Sequence, residues 1–406
     1  MKRIVVIGGG FAGMWGAIGA ARKLHELKVA SNEVEIVLIN REPYFGVRPR
    51  FYEKDPQNFR FLLNQVLEPA GIRLIEGEVR QIDTQSQQVI VYQKEKQIEI
   101  AYDRLVFTAG SQMVLPDISG LREHAYSADT YQDAVKLERH INGLSDLPDV
   151  EGKYAAAVIG AGFTGIEIAA ELTSRLAEVA KKEKKESEVR VVLIDRNPVV
   201  GCELGANPWP IIEQALNDMH VVIYTNETVT SVEPEGLTLK SGKYLPSLTT
   251  VCSAGVKASP LAENFPVEKD NLGRLPVDPY LRVEGLPSVF AAGDTARAKT
   301  DETHVSMMSC QHAMPQGKVA GHNVVCDLFG LTGVPYKQER YGTCLDLGPW
   351  GALITAGWDR IPQVQGKEAK KIKQQINQSI IYPPLSGNLE ELFEAANLDT
   401  MYPDIV

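Results

Sequence analysis

Two clusters of glycine carry the most specific chemistry in this chain. Gly8, Gly10 and Gly13, with Phe11 and Ala12 between them, stand in G-x-G-x-x-G spacing, and Gly160, Gly162 and Gly165, with Phe163 and Thr164, repeat it. In such a loop the first glycine makes the tight turn, the second lets the backbone approach a pyrophosphate, and the third packs helix against strand. The phosphates then face the positive end of the helix that follows. One copy of this spacing is a weak signal, but two copies, each after an apolar run, predict two dinucleotide sites. A third segment, from Ser309 to Gly317, sets Gln311 and His312 at the start of a helix predicted to run through Phe329. A neutral and a titratable donor there would stabilise negative charge on a reduced ring or a small acceptor.

The elements that must hold these residues read as alternating strands and helices. Ile4 to Ile7 is a β-branched run suited to a strand buried on both faces, and Met14 to Leu24 reads as the helix after it. A second strand, Glu33 to Ile39, ends in Asn40 and Arg41, where a dinucleotide fold sets its ribose contact. The stretch from Pro43 to Glu53, with Arg48 inside it, is aromatic and Arg-rich. It reads as a lining over a flat cofactor ring, or as a loop anchored by its aromatic residues. A strand over Gly77 to Asp83, whose Val79 is counted among the cofactor contacts, precedes a hairpin over Gln88 to Ile100. The next buried strand ends in Thr108, Ala109 and Gly110, small enough for backbone to lie against a ligand at the carboxyl end of the sheet.

From Tyr154 the pattern starts again, with a strand through Ile159 and a helix from Ile166 to Ala180. The strand after it ends in Asp195, an acid suited to a ribose 2′-hydroxyl and repulsive to a 2′-phosphate; NADH is therefore expected over NADPH, with Arg196 softening the preference. The charged run from Lys181 to Glu188 reads as a solvated face. Two later apolar runs end in Gly255 and in Gly293-Asp294, and Asp294 is expected to accept from a sugar-chain hydroxyl.

Composition narrows the partners. The 406 residues suffice for roughly two to three domains with ample core. A formal net charge of −10 argues against nucleic acid and against docking on anionic lipid. The five cysteines, Cys202, Cys252, Cys310, Cys326 and Cys344, form no CxxC or zinc-like cluster, so a reducing, cytoplasmic setting and no metal site are expected. No apolar run reaches the roughly eighteen residues of a membrane-spanning helix.

Taken together, the residues resemble the two-dinucleotide-binding-domain flavoproteins, and among them the type II NADH dehydrogenase-like group. The resemblance rests on GGGFAG, TAGS, GAGFTGIEIAAEL, CSAG, FAAGD and CQHAMPQG, and covers nearly the whole chain. It implies FAD at the first glycine loop and NAD(P)H at the second, with Glu167 beside the nicotinamide and the CQHAMPQG segment beside the flavin and a quinone. Within that segment Cys310 replaces the group's first Ala and Pro315 the first Gln of a pair. Asn40 stands where the group usually has an acid, and the end of the chain, from Asn388 to Glu394, is acidic where the group's membrane-docking region is apolar and basic. No cysteine precedes Cys202, which excludes the early Cys-x4-Cys pair of disulfide-reductase relatives.

The expected fold is α/β, with two Rossmann-like dinucleotide-binding domains and a smaller C-terminal region. Residues 1–115 and 266–335 would form the FAD domain, 116–265 the NAD(P)H domain, and 336–406 the acceptor side, where a homodimer could also form. The expected activity is oxidation of NAD(P)H and transfer of the electrons to a quinone or other small acceptor. Two alternatives are a sulfide:quinone oxidoreductase working through Cys310 and Cys344, and a reductase serving a protein acceptor such as a ferredoxin.

Overall fold

The computed structural model describes residues 1–94 and 96–399. Ile4, Val5, Val6, Leu105 and Val106 have no exposed surface, so these strands need cover on both faces, and they lie in the centre of a parallel sheet. Its five strands run in the order Val289–Ala291, Arg104–Phe107, Lys2–Ile7, Val34–Asn40 and Arg73–Glu76, all parallel. A second parallel sheet is ordered Val222–Tyr224, Arg190–Ile194, Ala155–Ile159 and Thr249–Cys252. Two parallel sheets, each with a glycine loop after a central strand, are the expected pair of Rossmann-like units. Antiparallel pairing of Ser111–Met113 with Val256–Ala258 joins the two halves.

The helix after the first loop, Phe11–Glu26, packs on the helix Cys310–Leu328 almost backbone to backbone. A Cβ on Gly317 would lie 2.3 Å from the Ala12 carbonyl oxygen, and one on Gly321 would lie 2.0 Å from that of Gly16. This glycine seam brings the two helix N-termini to one end of the first sheet.

The C-terminal part adds an antiparallel sheet of Gly342–Leu347, Gly351–Ala356 and Ile361–Gln365, backed by the helix Gly366–Gln375. A last helix, Leu389–Ala395, is capped by Asn388, which accepts from the Glu390 and Glu391 N–H groups. Leu392 sits in the core of the first half, and Phe393 packs 5.3 Å from His25. The acidic segment from Asn388 to Glu394 is thus a packed element of the first half. Among the described residues no helix is long and apolar enough to cross a membrane.

Candidate active site

The two glycine loops are near copies. Gly8 and Gly160 both have φ of +100°, and a Cβ on either would press on a backbone oxygen, Thr108 O at 2.4 Å or Ser253 O at 2.5 Å. A Cβ on Gly13 would meet Gly8 O at 1.7 Å, and one on Gly165 would meet Gly160 O at 1.8 Å, so both third glycines are fixed by packing. Each loop is also held by a residue at the carboxyl end of a neighbouring strand, Asn40 as the last of Val34–Asn40 and Asp195 just after Arg190–Ile194. Asn40 Oδ1 accepts the Gly9 N–H at 2.9 Å, and Asp195 Oδ2 accepts the Ala161 N–H at 2.5 Å. Asn40 performs this neutral anchoring without a charge.

Both loops open onto one cavity of about 1550 Å³. Gly10, Phe11 and Ala12 line it from the first loop; Gly160, Gly162, Phe163 and Thr164 line it from the second, together with Glu167 and Asp195. Arg48, Thr108, Gly110, Gly255, Gly293, Asp294 and Gln311 complete the predicted residues found there. Asn40, Arg41, Val79, Ala109 and Gly8 line a second cavity of about 330 Å³ at the carboxyl end of the first sheet, and Gly46 lines both. The chain offers what FAD needs: a first loop where a Cβ on Gly10 would meet nothing within 4 Å, an outer pocket for the adenosine end, and polar groups aimed inward. Ser309 lines the large cavity with a buried hydroxyl that has no partner, a position for a ligand atom.

The aromatic stretch divides. Phe45 stacks with Phe61 at 4.9 Å and is fully buried, and Phe51 joins the same core; these rings anchor the loop. Gly46, Arg48, Pro49 and Tyr52 are the members that reach the large cavity. Arg48 pairs with Asp129 and donates to Ser111 Oγ at 2.8 Å, and that hydroxyl donates to Asp294 at 2.6 Å.

His312, expected beside the acceptor, is not brought into the cavity. It is 1% exposed, and its Nδ1 lies 3.0 Å from Gln338 Oε1. Its ring is turned to the side of the helix that packs on the chain beyond it, against Gln338, Tyr341 and Trp358, and Pro315 helps to hold Gln338 there. A proline has no N–H for the carbonyl four residues earlier, so the freed Gln311 oxygen takes the Gln338 Nε2–H at 3.3 Å, and Gln338 engages His312 with its other end. Burial pulls the imidazole down to about 4, so it is neutral at physiological pH.

A buried ion pair lies at the opposite wall. Glu167, 3% exposed, accepts from the Asp346 N–H and from Lys373 Nζ, each at 2.9 Å. Lys373 also donates to the Cys344 carbonyl at 2.7 Å, and Lys370 holds Asp346 at 2.6 Å. Burial pushes the Glu167 carboxyl up to about 7, against the pull of Lys373. A carboxyl titrating there can hold or release a proton near neutrality. Lys373 is absent from the sequence-based expectations. Its signal was the spacing of Ala369, Ile372, Lys373 and Ile376, which places a lysine on the inward stripe of the last long helix.

Cys310 and Cys344 both line the cavity, but burial pushes each thiol up to about 11. Neither is a thiolate at neutral pH, which disfavours sulfide chemistry through them.

The model of the pyridine nucleotide-disulphide oxidoreductase family matches residues 2–317. The chain belongs to this family. A NADH dehydrogenase-like protein of Mycobacterium tuberculosis is 45% identical over 98% of both chains. The demethylphylloquinone reductase of Synechocystis is 28% identical over 87% of this chain and 86% of its own. The structure of NDH2 from Plasmodium falciparum in complex with NADH superposes with a TM-score of 0.77 at 14% identity, covering 97% of this chain and 96% of that one. Within the family this chain is an FAD-dependent NAD(P)H oxidoreductase of the NADH dehydrogenase-like type. When bound, FAD supplies the centre that takes a hydride and returns electrons to an acceptor.

Proposed function

We propose that the enzyme oxidises NADH in the cytoplasm and passes the electrons to a quinone-like small molecule. The supporting observation is the single cavity onto which both glycine loops, the Glu167–Lys373 pair and Gln311 open. In this reading residues 1–115 and 266–335 hold FAD, residues 116–265 hold the nicotinamide dinucleotide, and the region after 335 supplies the acceptor wall through Tyr341, Thr355 and Lys373. Gln311 presents an amide to the acceptor oxygens, and Glu167 holds a proton that a reduced quinone must gain. The Synechocystis relative, named for a quinone substrate, favours this acceptor class. The packed acidic helix Leu389–Ala395 favours an acceptor met in water rather than a docked membrane complex.

Anaerobic mixing with NADH, followed by a panel of quinones, tests this directly: the yellow protein should bleach and then recover with the quinones. Recovery only with a protein acceptor would replace the proposal. Gly10→Glu should give a colourless apo-protein, because a carboxylate would take the pyrophosphate position.

A further inference from the structure

The two loops share their backbone, so a difference between them is informative. Next to Gly10 a Cβ would find open space, but next to Gly162 it would stand 2.5 Å from Oε1 of Glu203. The same oxygen accepts the Phe163 N–H at 3.0 Å. A carboxylate of the chain itself therefore sits on the first turn of the helix Phe163–Ala180, where the backbone attracts anions. Glu203 belongs to a single helical turn, Cys202–Leu204, between Gly201 at φ +63° and Gly205 at φ +76°. The base of that turn is pinned: the Gly201 N–H donates to the Ala161 carbonyl at 2.7 Å, Trp209 Nε1 donates to the Gly201 carbonyl at 3.0 Å, and Leu204 is buried. Glu203 itself is exposed and can swing away without disturbing the base.

We propose that Glu203 is a displaceable counter-anion that competes with the diphosphate of the nicotinamide dinucleotide for the second loop. The inference rests on the reading that this loop cradles NAD(P)H. A dinucleotide that must first displace a bound carboxylate binds more weakly by the fraction of time the loop stands open. The FAD loop has no such competitor beside Gly10, which suits a cofactor that stays, whereas the second loop must release its ligand at every turnover.

The test uses the FAD-loaded enzyme and its Glu203→Ala and Glu203→Gln variants, with NAD⁺ and ADP-ribose titrated calorimetrically. Both ligands should bind Glu203→Ala roughly three- to tenfold more tightly than wild type, with Glu203→Gln between. Flavin reduction by dihydronicotinamide riboside, which has no phosphate, should keep its concentration dependence in both variants; a merely structural role would shift it too. Unchanged or weaker NAD⁺ binding in Glu203→Ala overturns the proposal. Adding Gly162→Ala to Glu203→Ala separates the two readings, because its Cβ then obstructs only a bound diphosphate. It should weaken NAD⁺ binding, and if it does not, the second loop is not the dinucleotide cradle and both readings fall.

Discussion

The Lys373 ammonium lies 2.9 Å from Oε1 of Glu167, across 206 residues of sequence, and joins the helix after the second glycine loop to the C-terminal layer. Both groups are buried, so neither charge can be removed without consequence for the other.

Lys373→Met should therefore cost about 1–3 kcal/mol of stability at pH 7, read by denaturant unfolding of the holoenzyme. Glu167 is an acid whose folded pKa lies above its unfolded value, so the folded state binds the proton more tightly. Its contribution declines as pH rises from about 4.5 to about 7 and is level above that. Without Lys373 the folded pKa rises further, so the variant should go on losing stability between pH 7 and 8.5 while this contribution stays flat in wild type. Parallel curves would show that the two residues are not coupled.

Glu167→Gln keeps the shape of the site and removes its proton. Reduction by NADH should stay near the wild-type rate, while reoxidation by a quinone slows and loses its pH dependence. In wild type that second step should fall as pH rises through about 7, because the protonated form is the donor. Stopped-flow measurement of each half-reaction from pH 6 to 8.5 checks this.

Gln311→Ala should slow reoxidation about tenfold, the equivalent of about 1.4 kcal/mol, with NADH reduction unchanged. His312→Ala should act differently, through the Gln338 network that satisfies the Gln311 carbonyl, costing about 1–3 kcal/mol of stability. Thermal melts beside the two half-reactions distinguish the roles.

Asp195→Asn retains an acceptor for the Ala161 N–H and removes the charge that, in the proposed reading, repels a 2′-phosphate. The NADH-to-NADPH ratio of kcat/KM should fall on the order of tenfold. An unchanged ratio would assign cofactor choice elsewhere, with Arg196 the nearest candidate.

Much of this architecture was legible because local rules and tertiary demands coincide. The β-branched runs, the repeated glycine spacing and the small residues after Phe107 and Cys252 each mean the same thing in isolation as in the fold. The site was less legible where a residue's role depends on a distant segment. Asn40 and Asp195 read as ribose contacts, whereas the role the structure shows is that each ties down its own loop. His312 read as a donor because its position at the head of a helix is local information, whereas its burial follows from Gln338, brought in by the chain beyond that helix. Lys373 was hidden inside a basic run, since a lysine pointing inward has the same letter as one pointing outward.

The glycine seam between Phe11–Glu26 and Cys310–Leu328 works as a fixed gauge for the spacing of two helix N-termini that line the large cavity. At the glycines themselves the two helix ends are spaced by backbone contact, with no side chain at those points to trim or enlarge. The seat thus has no adjustable parts, and even an alanine at Gly317 or Gly321 would wedge the helices apart. The opposite wall, from Tyr341 to Lys373, is carried by a separate antiparallel sheet with ordinary side chains. Efforts to retarget the enzyme to a new oxidant should leave the gauge untouched and rebuild that wall.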